Sequence, residues 1–341
     1  MYHCIKAKML SPLKMMTAKV NAVFTEIVIR QTVAMTFDRC SVKTAYTIFK
    51  IFSALFSGYL NKQCVTDSAQ YLSSKIFKVN NRKFARLMVL NRLMSSYIRF
   101  GFYKQAWASV LTFLNRNCLV QYKGEQQPGK LLLCTHTGDY WVLILSAARQ
   151  YEGSGYNFIV PVYQKIADEQ LKMYNRITIP GVNVKFINIH EKGMLLKLSR
   201  YLKDPNTVVA VFYDLFCYSA GVFNGASEPV TFFNRKGQMT IGITNMAKRL
   251  NLTVNFVSCC YLTEESKYMV TISPDIQLTE LKDPGEVMLG FLESYLCKTP
   301  WQWHFVASLD AYYHYPLYIL QAKNSQQASL FARLNHKYSH R

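Results

Sequence analysis

The sequence predicts an α/β fold with a mainly parallel central sheet flanked by helices, preceded by a helical, basic N-terminal region. Three observations carry this expectation. Beyond residue 123, short β-branched or aromatic runs alternate with segments of helix length, the rhythm of βαβ units. From Lys43 to about Leu114, apolar residues instead recur at helical spacing among arginines and lysines. Half of the 341 residues are hydrophobic, which is enough for a sizeable core and argues against wholesale disorder.

In chain order, residues 1–122 form the basic first region. It holds 18 Lys/Arg against only Glu26, Asp38 and Asp67, so an excess of 15 of the net +20 lies there. That asymmetry suits an anionic membrane face, an acidic protein partner or nucleic acid. Nucleic acid is disfavoured, because no reader motif is present and the basic residues sit among aromatics in helical register. The pattern over Val20 to Val33 is compatible with helix or strand. Phe49, Phe52, Leu55 and Phe56 are expected to share one helical face. Phe84, Leu87, Leu90 and Leu93 do the same among Arg82, Lys83, Arg86, Arg92 and Arg99. Such helices present either a solvated or a membrane-surface face. Ala45 to Leu60 is apolar but interrupted by Lys50, and no run reaches the roughly 18 uninterrupted apolar residues of a span. No compact apolar segment followed by a small-residue cleavage site marks a secretory signal.

Residues 123–318 are the expected α/β domain and 319–341 a basic tail. Strands are expected at Lys130–Cys134, Asn157–Val162, Val184–Ile189, Thr207–Tyr213, Thr253–Cys260 and Tyr268–Ile272. Helices are expected at Tyr140–Gln150, Ala167–Arg176, Gly193–Leu202, Gln238–Leu250 and Glu286–Cys297. The nine cysteines include no CxxC pair and no His at metal-ligand spacing. Their odd number excludes a complete internal disulfide framework, so they read as reduced thiols in a cytosol-facing protein. Neither a structural metal nor a bound cofactor is expected.

In a parallel sheet, reactive groups gather at the carboxyl ends of strands. His136 and Asp139 follow the run Leu131–Cys134, and Asp214 follows Val208–Tyr213. A histidine there with a nearby carboxylate is a plausible base and orienter, although a lone histidine in such a turn is more often structural. The segment 219–237 has three glycines with Arg235 and Lys236 and precedes the helix expected from Gln238, an arrangement suited to an anionic or carbonyl oxygen. It lacks the spacing of a Walker loop or a dinucleotide fingerprint.

Leu131-Leu-Leu-Cys-Thr-His136-Thr-Gly-Asp139-Tyr-Trp141, Val160-Pro-Val-Tyr163 and Val208-Val-Ala-Val-Phe-Tyr-Asp214 together resemble successive blocks of the late acyltransferases of lipid A biosynthesis. That family lies within the wider lysophospholipid acyltransferase group. Gly221-Val-Phe with Pro229-Val-Thr-Phe-Phe-Asn-Arg235, and Pro300-Trp-Gln-Trp-His304, are similar to its later blocks, in order and with compatible spacing from about residue 80 to 305. The resemblance implies a glycerolipid acyltransferase-like fold. It implies transfer of an acyl group from a carrier-protein or CoA thioester to a hydroxyl or amine, usually on a lipid. His136 would be the general base, with Gly221, Arg235, Lys165 and Arg176 as candidate substrate contacts. It also implies an acidic acyl carrier protein and anionic membrane lipids as partners, at the cytoplasmic face of a bacterial inner membrane.

The sequence departs from the family pattern of His, four residues, then Asp or Glu, because Trp141 stands at the acid's position. Asp139 sits where a small polar residue is usual, and Gln164 where relatives often carry Arg. Three arrangements remain open. Asp139 serves His136, or Asp214 reaches it from the next loop, or the site is inactive and the chain is a lipid- or partner-binding module. Helical i, i+3 geometry favours Asp139. The odd spacing hints at an atypical group, such as an aminoacyl group. Trp301, Trp303, His190, His304 and the Cys259–Cys260 pair are expected to be structural.

Overall fold

The computed structural model describes residues 31–33, 41–64, 77–104, 110–124, 127–162, 171–172, 174–175, 177–189, 193–215, 218–219, 222–223, 227–306, 309 and 312–313. These fall into two compact units. One lies within Met1–Val65 and Arg82–Ala106, the other within Thr66–Asn81 and Trp107–Arg341.

The first unit is helical. Helix α1 (Val42–Cys64) buries Val42, Ala45, Phe49 and Ser53, a stripe at three- and four-residue spacing. Helix α2 (Asn81–Lys104) buries Phe84, Leu90, Leu93, Tyr97 and Ile98. Phe49 and Tyr97 meet edge to face at 5.9 Å. The aromatic face expected of α1 is thus divided. Phe49 is buried, but Leu55 is 73% exposed, and Ile48 and Ile51 are exposed beside it.

The second unit is a mixed α/β domain. Its elements run α3 (Val110–Asn117), β1 (Cys118–Tyr122), β2 (Leu131–Cys134), α4 (Tyr140–Arg149), β3 (Tyr156–Val162), β4 (Val182–Asn188), α5 (Met194–Lys203) and β5 (Thr207–Phe212). Two short strands, β6 (Tyr218–Ser219) and β7 (Val222–Phe223), come next. A hairpin follows, β8 (Ser227–Phe232) with β9 (Arg235–Thr240), then α6 (Gly242–Arg249), β10 (Thr253–Leu262), β11 (Lys267–Ile272), β12 (Ile276–Gln277) and α7 (Pro284–Leu296).

The main sheet has the order β1-β11-β10-β2-β5-β3-β4, with β12 beside β10. The five strands β10, β2, β5, β3 and β4 are mutually parallel, and β11 turns back antiparallel on β10. Strand β2 is buried along its whole length, as expected of a central parallel strand covered on both faces. From β2 the chain builds β3, β4 and β5 on one side and only later β10 on the other. The carboxyl end of β2 is therefore the point where strand order reverses, the usual place for a ligand crevice.

Two expectations need correction. β1 pairs with β11, so the α/β unit begins upstream of the boundary at 123. Residues 235–240 are a strand and α6 starts only at Gly242, so the expected loop over 219–237 is largely a β-hairpin. Its two-residue turn places Phe233 at φ 48° and Asn234 at φ 59°, the left-handed pair that matches strand twist. The uncommon conformation at Phe233 is held down by its N–H bond to Glu293 Oε1 at 2.6 Å and by the Phe77 and Phe232 rings. The helix expected at Ala167–Arg176 lies mostly outside the described residues, as does the tail over 319–341.

Candidate active site

Strands β2 and β5 are adjacent and parallel, with Cys134 opposite Phe212. Two residues beyond that register pair come His136 and Asp214, so backbone pairing alone sets them side by side. The ladder continues one step further, with the Tyr213 N–H donating to Cys134 O at 3.0 Å. His136 Nδ1 then lies 2.6 Å from Asp214 Oδ1. Asp214 Oδ2 accepts the backbone N–H of His136 at 2.7 Å and the indole N–H of Trp303 at 2.9 Å. Tyr312 O–H donates to the Asp214 carbonyl oxygen. Asp214 is fully buried, whereas the His136 side chain keeps 17% of its surface exposed.

An ionised carboxylate only accepts hydrogen bonds, so the Nδ1 contact places the proton of the neutral imidazole on Nδ1. Nε2 is left with its lone pair. The ring stacks on Phe212 at 4.1 Å and meets the edge of Phe305 at 4.7 Å, which fixes its plane. Tyr140 and His304 lie at 6.5 and 6.2 Å.

The loop carrying His136 is tied down on two sides. Thr135 N–H donates to Val257 O, and Thr137 Oγ1 accepts the Cys259 N–H, both on β10. On the other side, Gly138 N–H donates to Gln302 O and His304 N–H donates to His136 O. Gln302 in turn brackets Tyr261, accepting its N–H and donating to its carbonyl. Gly138 sits at φ 63°, where a Cβ would stand 2.7 Å from Cys259 O.

Asp139 does something else. Its Oδ1 accepts the N–H groups of Trp141 and Val142 at 3.0 Å each, so it is the N-cap of α4. The expectation that Asp139 orients His136 is corrected. The i, i+3 argument needs both residues inside a helix, and α4 begins only at Tyr140. Trp141 is buried against Tyr174 at 4.5 Å and Phe186 at 5.1 Å, on the core side of α4.

Arg235 lies on β9 with its guanidinium 3.8 Å from the Tyr313 ring centroid. Lys165, Arg176, Gly221, Gln164 and His190 lie outside the described residues. Trp303 and Tyr312 are the site residues that sequence reasoning missed. Trp303 was expected to be a core aromatic, and it is buried; its indole N–H, aimed at a carboxylate some ninety residues upstream, leaves no local trace in the sequence. Burial pushes the Cys118 thiol up to about 12 and those of Cys134 and Cys259 well above the usual thiol range. Cys259 is fully buried, which disfavours the thiolate that a nucleophile needs. Cys118, Cys134, Cys259, Cys260 and Cys297 are free thiols. Among the described residues, no group of three or more His, Cys, Asp or Glu could hold a metal ion.

Comparison with known proteins adds three findings. The family described as bacterial lipid A biosynthesis acyltransferase matches residues 126–309. The crystal structure of PlsC, the 1-acyl-sn-glycerophosphate acyltransferase from Thermotoga maritima, is a structural match at 15% identity and a TM-score of 0.31, covering 78% of this chain and 98% of that one. No curated protein matches the chain.

Proposed function

The chain belongs to the bacterial lipid A biosynthesis acyltransferase family, and from that premise we propose how it performs acyl transfer. An acyl or aminoacyl group moves from a carrier-protein or CoA thioester to a hydroxyl or amine of a lipid-like acceptor, with His136 as general base and Asp214 as its orienter. The supporting observation is the 2.6 Å contact between His136 Nδ1 and Asp214 Oδ1.

In this reading Nε2 takes the proton of the acceptor O–H or N–H as the acceptor atom attacks the thioester carbonyl. The imidazolium is stabilised by the buried Asp214 carboxylate. Collapse of the tetrahedral intermediate breaks the C–S bond, and the departing thiolate takes the proton from Nε2. No bound cofactor takes part. Gly221, Arg235, Lys165 and Arg176 remain proposed contacts for the acyl donor or acceptor. The alternative of an inactive binding module rested on the missing acid at position 141, and the position of Asp214 supports the catalytic reading over it.

No helix among the described residues is long and apolar enough to cross a membrane. The exposed Ile48, Ile51 and Leu55 on α1, beside the exposed Lys43 and Lys50, support peripheral attachment to an anionic membrane. We place the protein at the cytoplasmic face of a bacterial inner membrane, with an acidic acyl carrier protein as partner and no nucleic acid. Mass spectrometry of lipids and small products from cells with and without the gene tests the reading. A lipid or small amphipathic product lacking an acyl or aminoacyl group in the deleted strain is expected, and unchanged profiles would count against it.

A further inference from the structure

We propose that Trp303 is a positioning residue that sets the basicity of His136 through Asp214, a role that rests on the function proposed above. The observation is the division of labour between the two oxygens of one buried carboxylate. Oδ2 receives two N–H groups, the His136 backbone at 2.7 Å and the Trp303 indole at 2.9 Å, and Oδ1 bonds the imidazole. Two N–H donors on Oδ2 fix the carboxylate plane, so that Oδ1 cannot rotate away from Nδ1. Tyr312 holds the same residue from behind through its carbonyl oxygen. The short segment from Pro300 to Tyr313 thus bonds Asp214 twice and also closes on the His136 loop through Gln302 O and His304 N–H.

The direction of the electrostatic effect follows from charge sharing. Each N–H on a carboxylate spreads its negative charge and stabilises it. Without the indole N–H, the fully buried Asp214 has more uncompensated charge, and protonation of the adjacent imidazole supplies the compensation. Among the described residues, the other titratable groups around the pair are Tyr140 and His304 beside the ring, Cys134 and Tyr213 beside the carboxylate, and Tyr312 on the Asp214 carbonyl oxygen. Burial raises the pKa of both Cys134 and Tyr213, so neither supplies charge at neutral pH.

The test is a histidine-ring NMR titration of the full chain, with the His136 signal assigned by loss in His136→Gln. Wild type is compared with Trp303→Phe and with a chain carrying β-(3-benzothienyl)alanine at position 303, which keeps the bicyclic shape and lacks the N–H. Both replacements are expected to raise the His136 midpoint by on the order of one pH unit. The accompanying kcat loss is roughly 10- to 100-fold with KM unchanged. Should Trp303→Phe fail to fold, the isostere decides. An isostere that leaves the midpoint in place, or lowers it, overturns the proposal. Full transfer activity in His136→Ala would instead remove the proposed function, an outcome separate from the titration.

Discussion

Asp214 grips His136 twice, with Oδ2 on its backbone N–H and Oδ1 on its ring nitrogen. Both residues lie two positions beyond a register pair on neighbouring parallel strands, so the carboxylate comes from β5 rather than from the helix that follows the histidine. Exchanging the carboxylate for an amide keeps the shape but lets the side chain donate to Nδ1, selecting the wrong imidazole tautomer. Asp214→Asn should lower the transfer rate about 10²- to 10⁴-fold with little change in KM. Steady-state kinetics on purified protein checks this, and a rate within a factor of three of wild type would contradict it.

Asp139→Ala should behave differently, because Asp139 caps α4. We expect a stability loss of about 0.5–2 kcal/mol, read by denaturant unfolding, with the pH–rate profile unmoved. A rate loss as deep as that of Asp214→Asn would assign Asp139 a chemical role.

Trp141→Asp would restore the residue type at the position where the family pattern has its acid, and it should rescue nothing. Position 141 is buried against Tyr174 and Phe186, so the change removes a large aromatic and buries a charge. The expected cost is about 3 kcal/mol or more, seen as a lower thermal midpoint, with no gain in rate.

These contrasts show which parts of the architecture the sequence discloses. The strands Leu131–Cys134, Tyr156–Val162 and Thr207–Phe212 are legible because central parallel strands are continuous apolar runs. The hairpin over 227–240 is not, since its turn uses Phe233-Asn234 where Asn-Gly would have announced it. His136 and Asp214 are both recognisable as strand-end residues. Their pairing requires knowing that β5 lies next to β2, a fact of sheet order that no local pattern encodes. Asp139 attracts attention because it is close in sequence. The contact from Trp303 spans 89 residues and depends on the chain returning across the site after α7.

The buried thiols give an alkaline signature. Cys118 ionises near 9 when unfolded and is raised to about 12 in the fold by burial; Cys134 and Cys259 move the same way. A raised folded value favours the unfolded chain once its thiols begin to ionise, so this contribution to stability is complete below pH 9 and lost as pH rises toward 12. Urea unfolding should show a marked loss of stability between about pH 9 and 11, on the order of 1 kcal/mol or more. In the native state at pH 8, a thiol reagent should modify the exposed Cys297 well before Cys118, Cys134 or Cys259.

In the mechanism proposed for this chain, His136 is the base for acyl transfer. The most direct measurement is the single-turnover rate of transfer from the loaded thioester donor to its acceptor by His136→Ala, with folding verified by its thermal midpoint. A rate at least about 10³-fold below wild type at saturating acceptor is expected. A folded His136→Ala protein that transfers the group at the wild-type rate would contradict it.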